Sequence, residues 1–385
     1  MCYYIHMKKR FFYIITIFII TIVCLTSCSQ SLNNKSYYTA ALNTGISWKA
    51  EFPDTMKEKD ADDIWSNMTS IISDYEKRYS TYETTSFIYK FNNAAPGAEI
   101  VGTKEDYDIF TLCKDVYNET SGLFNPAIYI LSRFWGFAGD NSINKNLEVE
   151  NESNIVIPTE DNLNLAFSLT SFLSITCEKK SDGKYYFTKP DTTIEIGGIT
   201  YSMQIDYSGI LKGYIAGKLA KEIYKTEAKY GYISLGSSSI SVFEKDTNGS
   251  YWNLEVKDPR NSNSAYLSIP VKNALFSTSG DYESYFEKSG VRYCHIISPR
   301  TKAPIQTGII SASVMYTDVD KNESPEIEGA LSDAYATAIM AMDIDLAKRF
   351  ITSRDLKATI CYKDGDSIKV FTTMDNTNLT NYEYC

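Results

Sequence analysis

The sequence predicts an α+β fold, with mostly antiparallel sheets flanked by helices. Three observations carry this. A few stretches place apolar residues at helical spacing. Many short runs instead look like strands separated by turn residues. The two kinds mix without regular strand–helix alternation and without an internal repeat, which argues against a parallel α/β fold.

Taken in order, Ser29 to about Lys35 is polar and reads as a short tether, and Ile46–Phe52 reads as a strand. Ile64, Met68, Ile71, Ile72 and Tyr75 mark a helix over 60–75, and a second is expected over Lys104–Glu119, ending before Ser121-Gly122. The Asn- and Glu-rich stretch Asn141–Asp161 reads as an exposed loop. Short strand-like runs follow from Ser168 to Ile205, with a turn at Ser181-Asp182-Gly183. Helical period returns over 214–224 through Ile215, Leu219 and Ile223. Strands are expected at Tyr232–Leu235, Ser239–Phe243, Trp252–Val256, Tyr266–Val271, Tyr293–Ile297 and Ser311–Thr317. A long helix over Ser332–Phe350 and a hairpin of Ala358–Tyr362 with Ser367–Thr372 close the chain.

The N-terminus reads as an export signal. Lys8, Lys9 and Arg10 precede an apolar run, Phe11–Val23, and Leu25-Thr26-Ser27-Cys28 follows. The run is shorter than the roughly 20 residues a membrane-spanning helix needs. Its ending resembles the bacterial lipobox, in which the cysteine, here Cys28, receives lipid and becomes the mature N-terminus. This reading divides the chain into a signal peptide over 1–27, a tether over 28–36 and one domain over 37–385. It implies attachment to the cell membrane on its extracytoplasmic side.

Loss of 1–27 lowers the formal net charge from −10 to −13. No basic block remains, so nucleic acid is excluded as a partner, since the phosphate backbone requires clustered Lys and Arg. Of eight cysteines, five remain besides the lipidated one, irregularly spaced and with no CxxC pair, so neither a zinc ribbon nor a disulfide framework is indicated. Only His295 survives of the two histidines. Any metal must therefore take mainly oxygen ligands, which favours a hard ion such as Mg²⁺.

Three constellations carry candidate chemistry. In Gln204-Ile205-Asp206-Tyr207-Ser208-Gly209-Ile210-Leu211-Lys212-Gly213-Tyr214, a strand is expected to end in Asp206, followed by a glycine-bearing turn and a helix. Such turns present backbone N–H groups to an anion, and Lys212 adds positive charge. An ordinary strand–helix connection with a surface lysine accounts for the same residues. The second constellation is Thr278-Ser279-Gly280-Asp281-Tyr282, followed by Cys294-His295-Ile296-Ile297-Ser298-Pro299-Arg300-Thr301. His295 leaves a strand into a loop, where sites tend to lie, though a lone histidine among apolar neighbours also suits a structural role. Third, Asp333 and Thr337 in Ser332-Asp333-Ala334-Tyr335-Ala336-Thr337 share a helix face and could hold a cation. Helix capping by Ser332 and Asp333 explains those two residues, but not Thr337.

In this order the segments resemble the ApbE family of FAD:protein FMN transferases. Asp206–Tyr214 is similar to its Asp-Leu-Gly-Gly-Ile-Ala-Lys-Gly-Tyr motif. Thr278–Phe286 with His295–Thr301 resembles Thr-Ser-Gly-Asp-Tyr … His-Ile-Ile-Asp-Pro-Arg-Thr-Gly, and Asp333–Thr337 resembles Asp-Ala-Leu-Ala-Thr. Arg78–Tyr82 with Ser86 and Phe91-Asn92, Ser121–Pro126, and Trp135-Gly136-Phe137 match earlier segments, with Leu42-Asn43-Thr44 a weaker counterpart of an opening Met-Gly-Thr.

The resemblance implies transfer of FMN from FAD to a Thr or Ser hydroxyl of an exported target protein, releasing AMP, with Mg²⁺ as cofactor. It implies metal ligation by Asp333, Thr337 and a backbone oxygen of Gly209. Asp206 and Lys212 would lie beside FAD, Leu42, Tyr82, Phe124, Asn125 and Ile297 would contact it, and His295 would accept the hydroxyl proton near its ordinary pKa of about 6.5. The chain departs from the family at Ser208, at Gly236-Ser237-Ser238, at Ser298, at Lys302 and at Asn125. An FAD pyrophosphatase using water as acceptor, and a non-catalytic flavin-binding lipoprotein, are the competing readings.

Overall fold

The computed structural model describes residues 33–139, 155–244, 252–375, 377–380 and 382–384. The export segment, Cys28 and most of the stretch read as the 141–161 loop lie outside the described residues. Nine strands form the central sheet: β1 (Asn33–Ala41), β2 (Thr44–Phe52), β3 (Tyr230–Leu235), β4 (Ser239–Glu244), β5 (Ala274–Gly280), β6 (Ile309–Thr317), β7 (Lys357–Asp364), β8 (Ser367–Thr372) and β9 (Glu383–Tyr384). Each lies beside its predecessor in the chain. All neighbours pair antiparallel except β8 and β9. The mostly antiparallel α+β fold is therefore as the sequence predicts.

Among the described residues eight α-helices accompany it: α1 (Glu58–Tyr79), α2 (Phe87–Asn93), α3 (Lys104–Glu119), α4 (Tyr129–Phe134), α5 (Glu160–Phe167), α6 (Ser208–Ile223), α7 (Pro325–Met340) and α8 (Ile344–Ser353). One face of the sheet packs on α6 and α7, in a core that includes Leu275, Ala312, Val314, Ala358 and Ile360. The other face builds a second core from Ala274, Phe276, Ile310 and Met315, together with Leu254, Val256, Leu267 and Ile269 of a small sheet. Successive residues of β5 thus enter opposite cores, as the two-residue period of a strand requires. Between α2 and α6, short strands at Glu99–Gly102, Thr176–Lys179 and Tyr185–Thr188 form another sheet, and Thr193–Ile196 pairs with Ile199–Ser202.

Several boundaries differ from expectation. The polar stretch read as a tether runs into β1, where Asn33, Asn34 and Lys35 pair with Phe52, Glu51 and Ala50. Glu160–Phe167, whose first residues were read as loop, is a helix capped by Thr159. The expected helix over Ser332–Phe350 is two helices. The first starts at Pro325, a residue suited to the first helical position, and Asp343 caps the second by accepting from the Leu346 amide at 2.8 Å. No strand leads directly into Asp206; the hairpin ends at Ser202, and α6 begins six residues before the periodic stretch. The strand read as Tyr293–Ile297 is Val291–Cys294, which leaves His295 in the segment beyond it.

Candidate active site between two crossing helices

Small residues set the geometry. A Cβ on Gly213 would lie 2.0 Å from the Gly329 carbonyl oxygen, and one on Gly217 would lie 2.2 Å from that of Pro325. Only glycine permits so close a crossing of α6 and α7. The motif glycine at 213 therefore serves helix packing rather than phosphate approach. As a consequence, the Gly213 amide donates to the Asp333 carboxylate at 3.0 Å. One turn earlier, Gly209 faces Thr337, whose Oγ1 is 3.6 Å from the position a Cβ would take.

Asp333 is not in a first turn. It lies in the middle of α7 and is 4% exposed, so dipole capping does not account for it. Ser332 is no cap either: it is buried, donates to the Gly329 carbonyl at 2.7 Å and meets Ser277 Oγ at 2.8 Å. Thr337 Oγ1 lies 3.2 Å from Ser279 Oγ on β5. Burial raises the Asp333 pKa, opposed by Lys212 and by the Gly213 amide. A carboxylate with a desolvation penalty, beside hydroxyls and a nearby helix backbone, is a donor set that fits Mg²⁺, which takes few protein oxygens and keeps positions for water and phosphate. Among the described residues no group of three or more His, Cys, Asp or Glu could hold a metal.

A cavity of about 320 Å³ opens beside this pair, lined by Phe124, Asn125, Asp206, Gly209, Lys212, His295, Ile297, Asp333 and Thr337 among others. Nine of the residues singled out in the sequence thus converge on one space. Leu42 and Tyr82 line a neighbouring cavity of about 460 Å³. The two share Tyr129, Asp206, Ser208 and Lys212. Leu42 and Asn43 form the two-residue turn between β1 and β2, both with positive φ (54° and 57°) as tight hairpins demand, and Glu76 accepts from the Leu42 amide at 2.7 Å.

Asp206 precedes α6 and accepts from the Ser208 amide (3.0 Å) and hydroxyl (2.6 Å). Burial raises its pKa, and these bonds oppose the rise. His295 Nδ1 lies 3.2 Å from the Ser284 carbonyl. A carbonyl only accepts, so Nδ1 carries the proton and Nε2 keeps a free lone pair. Enclosure by protein atoms, joined by Lys212, lowers the His295 pKa to about 4, against the ordinary value expected from sequence. The residue as a whole is nevertheless exposed to solvent where it lines the cavity. Water there limits the desolvation, and the ring is neutral at pH 7.

The departures from the family motifs have structural duties. Ser298 Oγ accepts from the Arg300 and Thr301 amides at 3.2 and 3.4 Å. Asn125 caps Ala127 at 2.9 Å and donates to the Thr170 carbonyl at 3.0 Å, so its side chain is committed to the backbone although it lines the cavity. Lys302 takes a positive φ of 61° where glycine is usual, and its carbonyl accepts from Trp135 at 2.9 Å. Gly236 and Ser237, also at positive φ, turn β3 into β4 and leave Ser238 in the cavity wall. The motif residue Asp281 is held by Arg260 through two bonds of 2.8 and 2.7 Å and lines a different cavity.

Sequence reasoning assigned no role to Ser279, Glu283, Tyr129 or Ser132, all cavity residues. Ser279 and Glu283 lie inside a quoted motif and were within reach. Tyr129 and Ser132 carry no local signal, since only the fold brings α4 to the site.

The fold and the site define an α+β protein with one oxygen-lined pocket that holds a single histidine. More particularly, the chain belongs to the ApbE family, whose profile matches residues 42–360. It is 22% identical over 329 residues to the FAD:protein FMN transferase of Escherichia coli strain K12, covering 85% of this chain and 84% of that one. The corresponding protein of Treponema pallidum is 23% identical over 315 residues, 78% of this chain and 81% of its own. The apo crystal structure of Pseudomonas stutzeri flavinyl transferase ApbE superposes with a TM-score of 0.69 at 17% identity, covering 89% of this chain and 95% of that chain.

Proposed function

We propose that this protein is a Mg²⁺-dependent FAD:protein FMN transferase, moving FMN from FAD to a Thr or Ser hydroxyl of an exported target and releasing AMP. The observation that carries the reading is the convergence of Asp333, Thr337 and Gly209 on the same cavity wall as Lys212 and His295. Asp333, Thr337 and a Gly209 backbone oxygen would hold the magnesium, whose charge would offset that of the FAD pyrophosphate. Lys212 and the start of α6 add positive charge where phosphates would lie.

The proton step belongs to His295. Its Nδ1–H donates to Ser284, leaving Nε2 to accept the proton of the incoming hydroxyl. The hydroxyl oxygen then forms a bond to the FMN phosphorus as the bond to AMP breaks. Phosphoryl chemistry of this kind needs positioning and charge neutralisation more than covalent participation. The second cavity, with Leu42 and the aromatic Tyr82, supplies apolar surface for the flavin end.

The test supplies purified protein with FAD, Mg²⁺ and a candidate acceptor, and follows AMP and protein-bound flavin fluorescence together. Both products are expected. AMP without bound flavin would favour the pyrophosphatase, and tight FAD binding without AMP would favour a binding protein. We further propose lipid attachment at Cys28 on the extracytoplasmic side of the membrane. Cys28→Ala should release the protein from membranes, and retention would count against it.

A further inference from the structure

Ser208 has no part in the chemistry described so far, yet it stands at the centre of the site. It is exposed, it lines both cavities, and its hydroxyl donates to the Asp206 carboxylate at 2.6 Å. A serine hydroxyl bonded to a carboxylate is a nucleophile with a base in place. The amide bond from Ser208 to Asp206 is what an ordinary turn ahead of a helix provides, and the hydroxyl bond is additional. Lys212, one helical turn further on and on the same face, is the sole lysine or arginine among the described residues that line either cavity. A phosphate drawn to Lys212 from either cavity would therefore come to rest against Ser208.

We propose that Ser208 is itself an acceptor of the flavin nucleotide, so that the chain carries covalent FMN on its own active-site helix. This rests on the transferase reading above. The Ser208 oxygen forms a bond to the FMN phosphorus, the phosphorus–oxygen bond to AMP breaks with its electron pair leaving on AMP, and the serine proton passes to Asp206. No oxidant or further reactant is needed. The raised pKa of Asp206 suits it to take that proton. Serine at a position where the family usually has glycine is what makes the step available to this chain.

The experiment incubates the full chain, purified in detergent, with FAD and Mg²⁺ and no acceptor protein. The protein is then denatured, free nucleotides are washed away, and AMP, bound flavin and its position by peptide mass spectrometry are measured. Stoichiometric AMP with flavin on the Ser208 peptide, lost in Ser208→Ala, is the expected result. AMP with no bound flavin, or flavin mapped to another residue, overturns the inference while leaving the enzymatic reading standing. Absence of AMP both here and with an acceptor added would overturn the enzymatic reading, and this inference with it. Because mapping is done on the wild-type chain, the answer does not depend on how the variant folds.

Discussion

Replacing Gly213 by alanine tests whether the helix crossing builds the site. The new Cβ would sit 2.0 Å from the Gly329 carbonyl oxygen and 2.7 Å from Asp333 Cβ, whereas ordinary contact begins at 3.4 Å. Both obstacles are close to the main chain and cannot swing aside, so α6 and α7 must part by about 1.4 Å. Overpacking of this kind costs about 1–3 kcal/mol. The same movement lengthens the Gly213–Asp333 hydrogen bond and draws Thr337 away from Gly209. Misplacement by about 1 Å at a reacting centre is worth roughly 100-fold in rate. Gly209→Ala is the control, because its Cβ meets Phe124 at 3.4 Å and Thr337 at 3.6 Å, so it should fold as the wild type does. The assays are denaturant unfolding and FAD turnover against Mg²⁺ concentration. Gly213→Ala should lose stability, lose turnover and need more Mg²⁺. If it matched Gly209→Ala in stability and the wild type in turnover, the crossing would not be what aligns the site.

Asp333→Ala should abolish turnover while keeping a cooperative unfolding transition, since the carboxylate is buried against its desolvation cost; undiminished turnover would contradict its role as a metal ligand. His295→Gln should lower kcat by about 10²–10⁴-fold with little change in KM for FAD, and equal kcat would remove the histidine from the proton step. A base with a depressed pKa stays active to lower pH, so at saturating Mg²⁺, which keeps Asp333 ionised, the acid limb of kcat should fall below pH 6.5; a limb above 6.5 would refute the enclosed environment of the ring. Lys189 is 2% exposed, donates to Asn92 O, Ser202 Oγ and Met203 O, and has its pKa lowered to about 8 by burial. Between about pH 8 and its unfolded value of 10.5 the unfolded chain binds the extra proton, so stability rises with pH. Relative to Lys189→Met, the wild type should gain up to about 3 kcal/mol across that window, and a parallel pH dependence of the two would refute it.

The residues that show how far a sequence can be read are those of the site and the strand beneath it. Asp333 and Thr337 were legible as a pair from their spacing, because four residues make one helical turn whatever precedes them. Where the helix began was not read, although Ser324-Pro325 marked it, so Asp333 was weighed as a cap when it is a buried mid-helix carboxylate. Strand β5 escaped because Ser277, Thr278 and Ser279 break its apolar pattern. Those hydroxyls face Ser332, Ser313 and Thr337, partners distant in sequence that satisfy them inside the fold. The role of Gly213 was not legible for a similar reason, since a glycine that admits a ligand and one that admits another helix look alike until the partner is known. His295 was found as the lone histidine, but its tautomer and lowered pKa depend on Ser284 and on enclosure that no local pattern encodes.

The proposed function rests most directly on a metal ion that would be held between α6 and α7. Crystals soaked in Mn²⁺ as a substitute for Mg²⁺, with FAD present, would locate it by anomalous scattering. The expected result is a peak within ligand distance of the Asp333 carboxylate, Thr337 Oγ1 and the Gly209 carbonyl oxygen. A peak elsewhere, or a bound FAD whose phosphates lie away from these three residues, would contradict the account.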